Sequence, residues 1–332
     1  MATSATAGGP GAHGKPARAY GLCYGTKTSQ PLRPGEVVEK YKGHGITKMG
    51  LSPTPLTKND NVIPIPPIVP GEMKIVLCID YNDLSPLAND ASASNWINTY
   101  VASNASVISH VCVGDVIGSV DFSLHDFKDA MSNLKNSLPD TIKLSVLVNE
   151  SMLLGHAYTA LDPPSTCIIE PSRSKDILLF LSKLTRYPIQ LFVRIMPYFM
   201  ISKGLAVENC ILRDTAQTYM KDMVNGVNYS YSQAFDAMLD SICCALKKVD
   251  ELGEVDIHVV TGWPTGPFSA PDASEQRARE YFSNLLPRIG KPTPMHNNPV
   301  DVFIYSLVDE ENLETNVKEF KHLGAEKYLP CG

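Results

Sequence analysis

No run in this chain approaches the ~20 consecutive apolar residues that a membrane-spanning helix requires, so no membrane span is expected. Positive charge is also short. The chain has 29 Lys and Arg against 35 Asp and Glu, a net charge of −6, which gives nucleic acid or an anionic lipid surface no electrostatic support. Eight cysteines are present, Cys23, Cys78, Cys112, Cys167, Cys210, Cys243, Cys244 and Cys331. None forms a CxxC pair or a Cys/His ligand spacing. Cys23, Cys78 and Cys112 fall inside apolar runs, where cysteine behaves as a small hydrophobe. Structural thiols are therefore expected, with no metal and no cofactor. Residues 1–18 are mostly Ala, Gly, Ser, Thr and Pro and lack the roughly 7–15-residue apolar stretch of a secretory signal. They read as a disordered tail, and the numbering as it stands points to the cytoplasm. Three N-x-[ST] sequons, at Asn104, Asn149 and Asn228, are about what chance supplies and decide nothing alone.

What is present is the material of a globular core: 332 residues, 44% hydrophobic and 19% charged, enough for one large α/β barrel or two ordinary domains. Short apolar runs read as strands near Tyr20–Tyr24, Ile46–Leu51, Lys74–Asp80, Ile108–Val116, Ile142–Val148, Gln190–Met196, Asp256–Thr261 and Val302–Val308. Helical patterns separate most of them. Ser230–Val249 places Phe235, Met238, Leu239, Ile242, Leu246 and Val249 on one stripe. Ser123 is an N-cap candidate for Leu124–Leu138. Ser274–Ile289 turns Tyr281, Phe282, Leu285 and Leu286 inward. Eight alternating units predict a parallel sheet closed into a single-domain (β/α)8 TIM barrel over residues 19–332. One unit is irregular: Pro53, Pro55, Pro64, Pro66, Pro67 and Pro70 are too dense for a helix interior, so the second helix should be short, displaced or missing. A monomer is the simplest expectation.

Several segments together resemble glycoside hydrolase family 17, the plant endo-1,3-β-glucanases. Gly21-Leu22-Cys23-Tyr24-Gly25 is similar to the family's opening strand. Asp83-Leu84 through Leu87-Ala88 and Asn95-Trp96-Ile97 are similar to its Asp-Leu-x-x-Leu-Ala and Asn-Trp-Val segment. Pro197-Tyr198-Phe199, Tyr231 with Phe235-Asp236-Ala237-Met238, and Gly262-Trp263-Pro264 follow in the family's order. The resemblance runs from about Tyr20 to about Gly324. It implies the barrel fold, a β-glucan partner, and a cleft at the C-terminal ends of the strands, where barrels of this kind do their chemistry. Its members are usually secreted, so a removed signal with secretion to the cell wall is the alternative localisation.

The same resemblance shows where this chain departs. The family's Val-Gly-Asn-Glu, bearing the acid/base, ends here in Asp115-Val116. Its Ser-Glu-Ser-Gly-Trp-Pro, bearing the nucleophile, is Val259-Val260-Thr261-Gly262-Trp263-Pro264. Retaining hydrolysis needs two carboxyls about 5–5.5 Å apart, and valine can neither transfer a proton nor attack a sugar carbon. Polar groups are also missing after strand two, where Met49-Gly50-Leu51-Ser52-Pro53 stands for Met-Arg-Leu-Tyr-Asp. After strand six, Arg194-Ile195-Met196 stands for Asn-Val-Tyr. Glu310 persists, and Phe320 stands where a Glu is expected. The leading expectation is a pseudoenzyme that binds a β-glucan or small molecule in a remodelled cleft. The alternatives are an active glucanase using the displaced carboxylates Asp115 and Glu310, and a re-purposed enzyme of specialised metabolism. Candidate ligand-binding residues are Tyr24, Asp115, Arg194, Met196, Tyr198, Phe199, Trp263 and Glu310. Tyr24, Tyr198, Phe199 and Trp263 read equally as core. Arg194 reads as a structural ion-pair partner or an anion binder. Strand alternation sets Asp115 on the face opposite Val116. His110 and His258 read as structural.

Overall fold

The computed structural model describes residues 20–25, 27–51, 65–80, 84–114, 123–154, 160–185, 188–266, 272–311 and 318–330. Its strands are β1 (Tyr20–Tyr24), β2 (Lys48–Leu51), β3 (Lys74–Ile79), β4 (Ile108–Val113), β5 (Lys143–Val148), β6 (Ile189–Arg194), β7 (Met220–Val224), β8 (Val227–Tyr231), β9 (Val255–Thr261) and β10 (Asp301–Ile304). Eight of them close into a barrel in the order β1-β10-β9-β6-β5-β4-β3-β2, and every neighbouring pair is parallel. These are the eight strands expected from the sequence, and the fold is the (β/α)8 barrel in one domain. β10 ends at Ile304, short of the expected Val308. Tyr305 N still bonds Thr261 O at 2.8 Å, but Ser306 N turns away to Leu323 O at 2.9 Å. The expected extension of β4 to Val116 lies outside the described residues.

The helices are α1 (Pro34–Gly43), α2 (Leu84–Leu87), α3 (Asp90–Tyr100), α4 (Leu124–Ser137), α5 (Arg173–Leu184), α6 (Val207–Cys210), α7 (Ala234–Lys247) and α8 (Glu275–Leu285). Ser123 caps α4 as expected: its hydroxyl accepts from His125 N at 3.2 Å and Asp126 N at 3.4 Å, two donors the first turn would otherwise leave unpaired. Ser274 does the same for α8 through Arg277 N. Between β2 and β3, residues 65–73 contain no helix; residues 52–64 of the proline-rich unit lie outside the described set. Among the described residues no helix is long and apolar enough to cross a membrane.

A hairpin outside the barrel, β7 with β8, has no counterpart in the sequence reading and moves the start of α7 from Ser230 to Ala234. Its turn is Asn225-Gly226, with φ of 51° and 80°. That left-handed pair matches a two-residue hairpin turn, and Asn-Gly is its usual composition.

Strand alternation sorts the barrel into two populations. Side chains on the outer face pack against the helices: Thr261 Oγ1 lies 2.6 Å from Tyr281 Oη of α8, and Tyr41 Oη of α1 donates to Leu22 O at 2.6 Å. Inward side chains form a separate small cluster of Val76, Cys112, Phe192, Val260 and Phe303, flanked by Cys23, Cys78, Leu147 and Tyr305. The two ends of this filling are polar and differ in chemistry.

Candidate functional site

The C-terminal end of the barrel gathers residues from the exits of β1, β3, β6, β9 and β10. Glu310, past the end of β10, is buried there, with 3% exposure. It accepts from Tyr305 Oη and from Lys27 N, the latter at 3.3 Å. Lys27 also reaches across the mouth to Asp80 at the end of β3, Nζ to Oδ2 3.2 Å. One lysine thus links the two carboxylates, through its backbone to Glu310 and its ammonium to Asp80. Burial raises the Glu310 carboxyl above its ordinary pKa, against the opposing pull of the Tyr305 hydrogen bond and of Lys27. The same burial raises the Tyr305 phenol well above its usual value, helped by the Glu310 charge. Gly25 makes the arrangement possible: a Cβ there would overlap the Glu310 carboxylate.

Val260 sits on the inward face of β9, opposite Arg194 on β6 and Phe303 on β10. It is 8% exposed and belongs to the apolar filling. Arg194 lies beside it, its guanidinium 4.9 Å from the centre of the Phe320 ring. The family resemblance assigns a Glu to position 320; here an aromatic platform supports a cation, a pairing worth about 0.5–2 kcal/mol depending on desolvation. Phe320 also packs on Phe199 at 5.5 Å, Phe199 on Tyr198 at 5.3 Å, and Tyr198 on Trp263 at 5.4 Å. Met196 is buried, its methyl close to Gly262.

The candidate residues therefore divide. Glu310, Arg194, Met196, Phe199, Tyr198 and Val260 come together at one end of the barrel. Of the two places open to Trp263, its ring takes the core one. It is fully buried against Tyr281 at 5.1 Å, and Nε1 donates to Asp272 O at 2.9 Å. Tyr24 likewise faces the helix layer, where its hydroxyl accepts from Leu32 N at 3.0 Å. Asp115 and Val116 lie outside the described residues. The sequence reading did not single out Lys27, Asp80 or Tyr305. Asp80 carried a usable signal as an acid at the end of a barrel strand. Tyr305 carried one as well, two residues beyond Phe303 on the same face.

His322-Leu323-Gly324 works as a strap. His322 O accepts from Thr265 N at 2.8 Å, and Gly324 N donates to Asp309 Oδ1 at 2.7 Å. It ties the exit of β9 to that of β10 at the C-terminal mouth of the barrel.

The sequence profile of "Glycosyl hydrolases family 17" matches residues 20–327. A glucan endo-1,3-beta-glucosidase of Vitis vinifera is 27% identical over 326 residues, 93% of this chain and 88% of that protein. The basic isoform of glucan endo-1,3-beta-glucosidase from Phaseolus vulgaris is 26% identical over 335 residues, covering 94% and 90%. Among solved structures, a beta-1,3-glucanase and allergen of Cryptomeria japonica pollen superposes with a TM-score of 0.75 at 20% identity, over 94% of this chain and 97% of that one. That likeness is of fold. The match of the family profile to nearly the whole length decides membership: this chain belongs to glycosyl hydrolase family 17.

Proposed function

We propose that this family 17 protein does not hydrolyse β-1,3-glucan at the rates ordinary for its relatives, and that its remodelled cleft binds a carbohydrate or a small ligand. The observation behind this reading is Val260. Where the family resemblance assigns the nucleophile, an aliphatic side chain is packed into the barrel filling with Val76, Cys112, Phe192 and Phe303. A carboxylate is required there for a glycosyl-enzyme intermediate. The neighbouring cation on an aromatic platform, Arg194 on Phe320, and the buried Met196 give the cleft a different chemistry from one built to cradle a neutral glucan.

A second reading is favoured by Glu310. A buried carboxyl with a raised pKa is what a general acid needs near neutral pH, so a hydrolase with displaced carboxylates would use it. One assay separates the two. Purified protein is given laminarin, with the Val116→Glu, Val260→Glu double variant and Glu310→Gln alongside. Our reading expects background turnover from wild type and no further loss in Glu310→Gln. Wild-type turnover at ordinary family rates, abolished by Glu310→Gln, would overturn it in favour of the displaced-carboxylate hydrolase.

A further inference from the structure

The opposite, N-terminal end of the barrel holds a second polar assembly that the cleft does not use. It is a pocket of about 420 Å³ lined by residues of β2, β3, β4, β6, β9 and β10 and of the turn before β3, a size within the usual range for small-molecule sites. Its floor is aromatic. Phe192 stacks on His258 at 4.6 Å and meets His110 and Phe303 edge-on at 5.7 and 5.6 Å. Gln190 orders these rings. Its amide nitrogen donates to Asp256 at 2.7 Å and to Pro188 O at 2.9 Å, so its oxygen faces both imidazoles, 3.3 Å from His110 Nε2 and 3.2 Å from His258 Nε2. Burial and the neighbouring His258 push His110 down to about 4, which leaves it a neutral aromatic wall at physiological pH.

The rim carries two lysines, Lys48 and Lys74, and two acids, Glu72 and Asp301. Lys48 and Lys74 are directly paired across β2 and β3, and both line the pocket. Like charges in that relation repel. Lys48 is neutralised by Asp301, Nζ to Oδ1 2.6 Å, and the one other rim acid, Glu72, by Lys42 at 3.1 Å. Lys74 has only the Ser106 carbonyl, at 2.9 Å; among the described residues no carboxylate pairs with it. One unneutralised ammonium therefore stands over a floor of flat rings.

We propose that this pocket is a binding site for a small planar aromatic carboxylate, its ring against Phe192, Phe303 and His110 and its carboxylate between Lys48 and Lys74. The site is separate from the cleft and stands whether or not the cleft hydrolyses glucan. Benzoate and trans-cinnamate, titrated calorimetrically into the full chain, are the probes, with benzyl alcohol and benzylammonium as uncharged and charge-reversed controls. The acids should bind and the ammonium should not. Lys74→Met should weaken acid binding about tenfold or more, the value of one charge-assisted hydrogen bond. Val76→Phe, which fills the floor, should abolish it. If Val76→Phe does not fold, Lys74→Met decides, because Lys74 is exposed. The proposal is overturned if neither acid binds at about 10 mM, if the alcohol binds as well as the acids, if Lys74→Met leaves affinity unchanged, or if a laminari-oligosaccharide displaces benzoate.

Discussion

Glu310 illustrates what one residue can hold at a cost. Its burial raises the carboxyl pKa, so the folded protein binds that proton more tightly than the unfolded chain does. The resulting stabilisation is fully present below the ordinary carboxylate range and is lost as pH rises through the raised value. Glu310→Gln keeps a hydrogen-bond acceptor for Tyr305 and Lys27 but cannot ionise. We predict that its melting temperature exceeds that of wild type by a margin that widens from about pH 4 to about pH 7; a margin independent of pH would contradict this. Val260 poses the reverse case. Its packed neighbours are Val76, Cys112, Phe192 and Phe303, and the cation across from it, Arg194, stacks on Phe320, so Val260→Glu puts a charge into an apolar layer where pairing requires Arg194 to leave that ring. It should cost about 2–4 kcal/mol at neutral pH, read by denaturant unfolding, with a smaller loss at acid pH where the new carboxyl is protonated.

At the scale of elements, α7 and the hairpin before it show what periodicity reveals and what it hides. The apolar stripe Phe235, Met238, Leu239 and Ile242 was legible from its 3.6-residue spacing and is buried. Asp240 lies within the same buried stretch, and nothing in the pattern marks it as more than a surface acid. It is fully buried because three donors converge on it: Tyr231 Oη at 2.8 Å, Met295 N at 2.9 Å and Thr293 Oγ1. Two of these lie more than fifty positions along the chain, which is why local pattern could not supply them. Asp240→Leu orphans Tyr231 Oη and Met295 N and leaves Thr293 Oγ1 only its bond to His296 O at 3.3 Å, and we expect a loss on the order of 3 kcal/mol. Ser123→Ala, which removes only a helix cap, should cost about 1 kcal/mol. Chemical denaturation of the two variants side by side tests that ordering. The hairpin was missed for another reason. Its strands β7 and β8 are only five residues each, and β7 buries an acid, Asp222, where the pattern of a half-buried strand calls for an apolar residue; the alternation of Val227-Asn228-Tyr229-Ser230-Tyr231 and the Asn225-Gly226 turn were the signals available.

Across the whole molecule, the barrel was readable because each strand is a short apolar run set off by a helix, a property of neighbouring residues. The mouths were not readable in the same way. Lys27 and Glu310 are 283 positions apart, and only closure of the sheet makes them neighbours. The same closure places one polar mouth around Lys48, Lys74 and the two imidazoles and another around Glu310, Lys27 and Asp80, divided by the packed layer around Phe192 and Val260. Ligands at the two ends should then act independently. An aromatic acid at a hundred times its dissociation constant should add about 2.7 kcal/mol of stability. That increment should be unchanged when a cleft ligand is present, as judged from thermal shifts with each ligand alone and with both.

Gly25 and Glu310 also occupy the seam of the barrel, where the first strand meets the last. Leu307 N bonds Cys23 O there at 2.7 Å, beside the β1–β10 pairing. With no room for a side chain at position 25 while Glu310 holds its place, the two positions can change only in concert. A molecule that grips Glu310 from the cleft then acts as a clasp on the join between the chain's two ends, and slowed hydrogen exchange in Tyr20–Tyr24 and Asp301–Ile304, ahead of any helix, would be its mark.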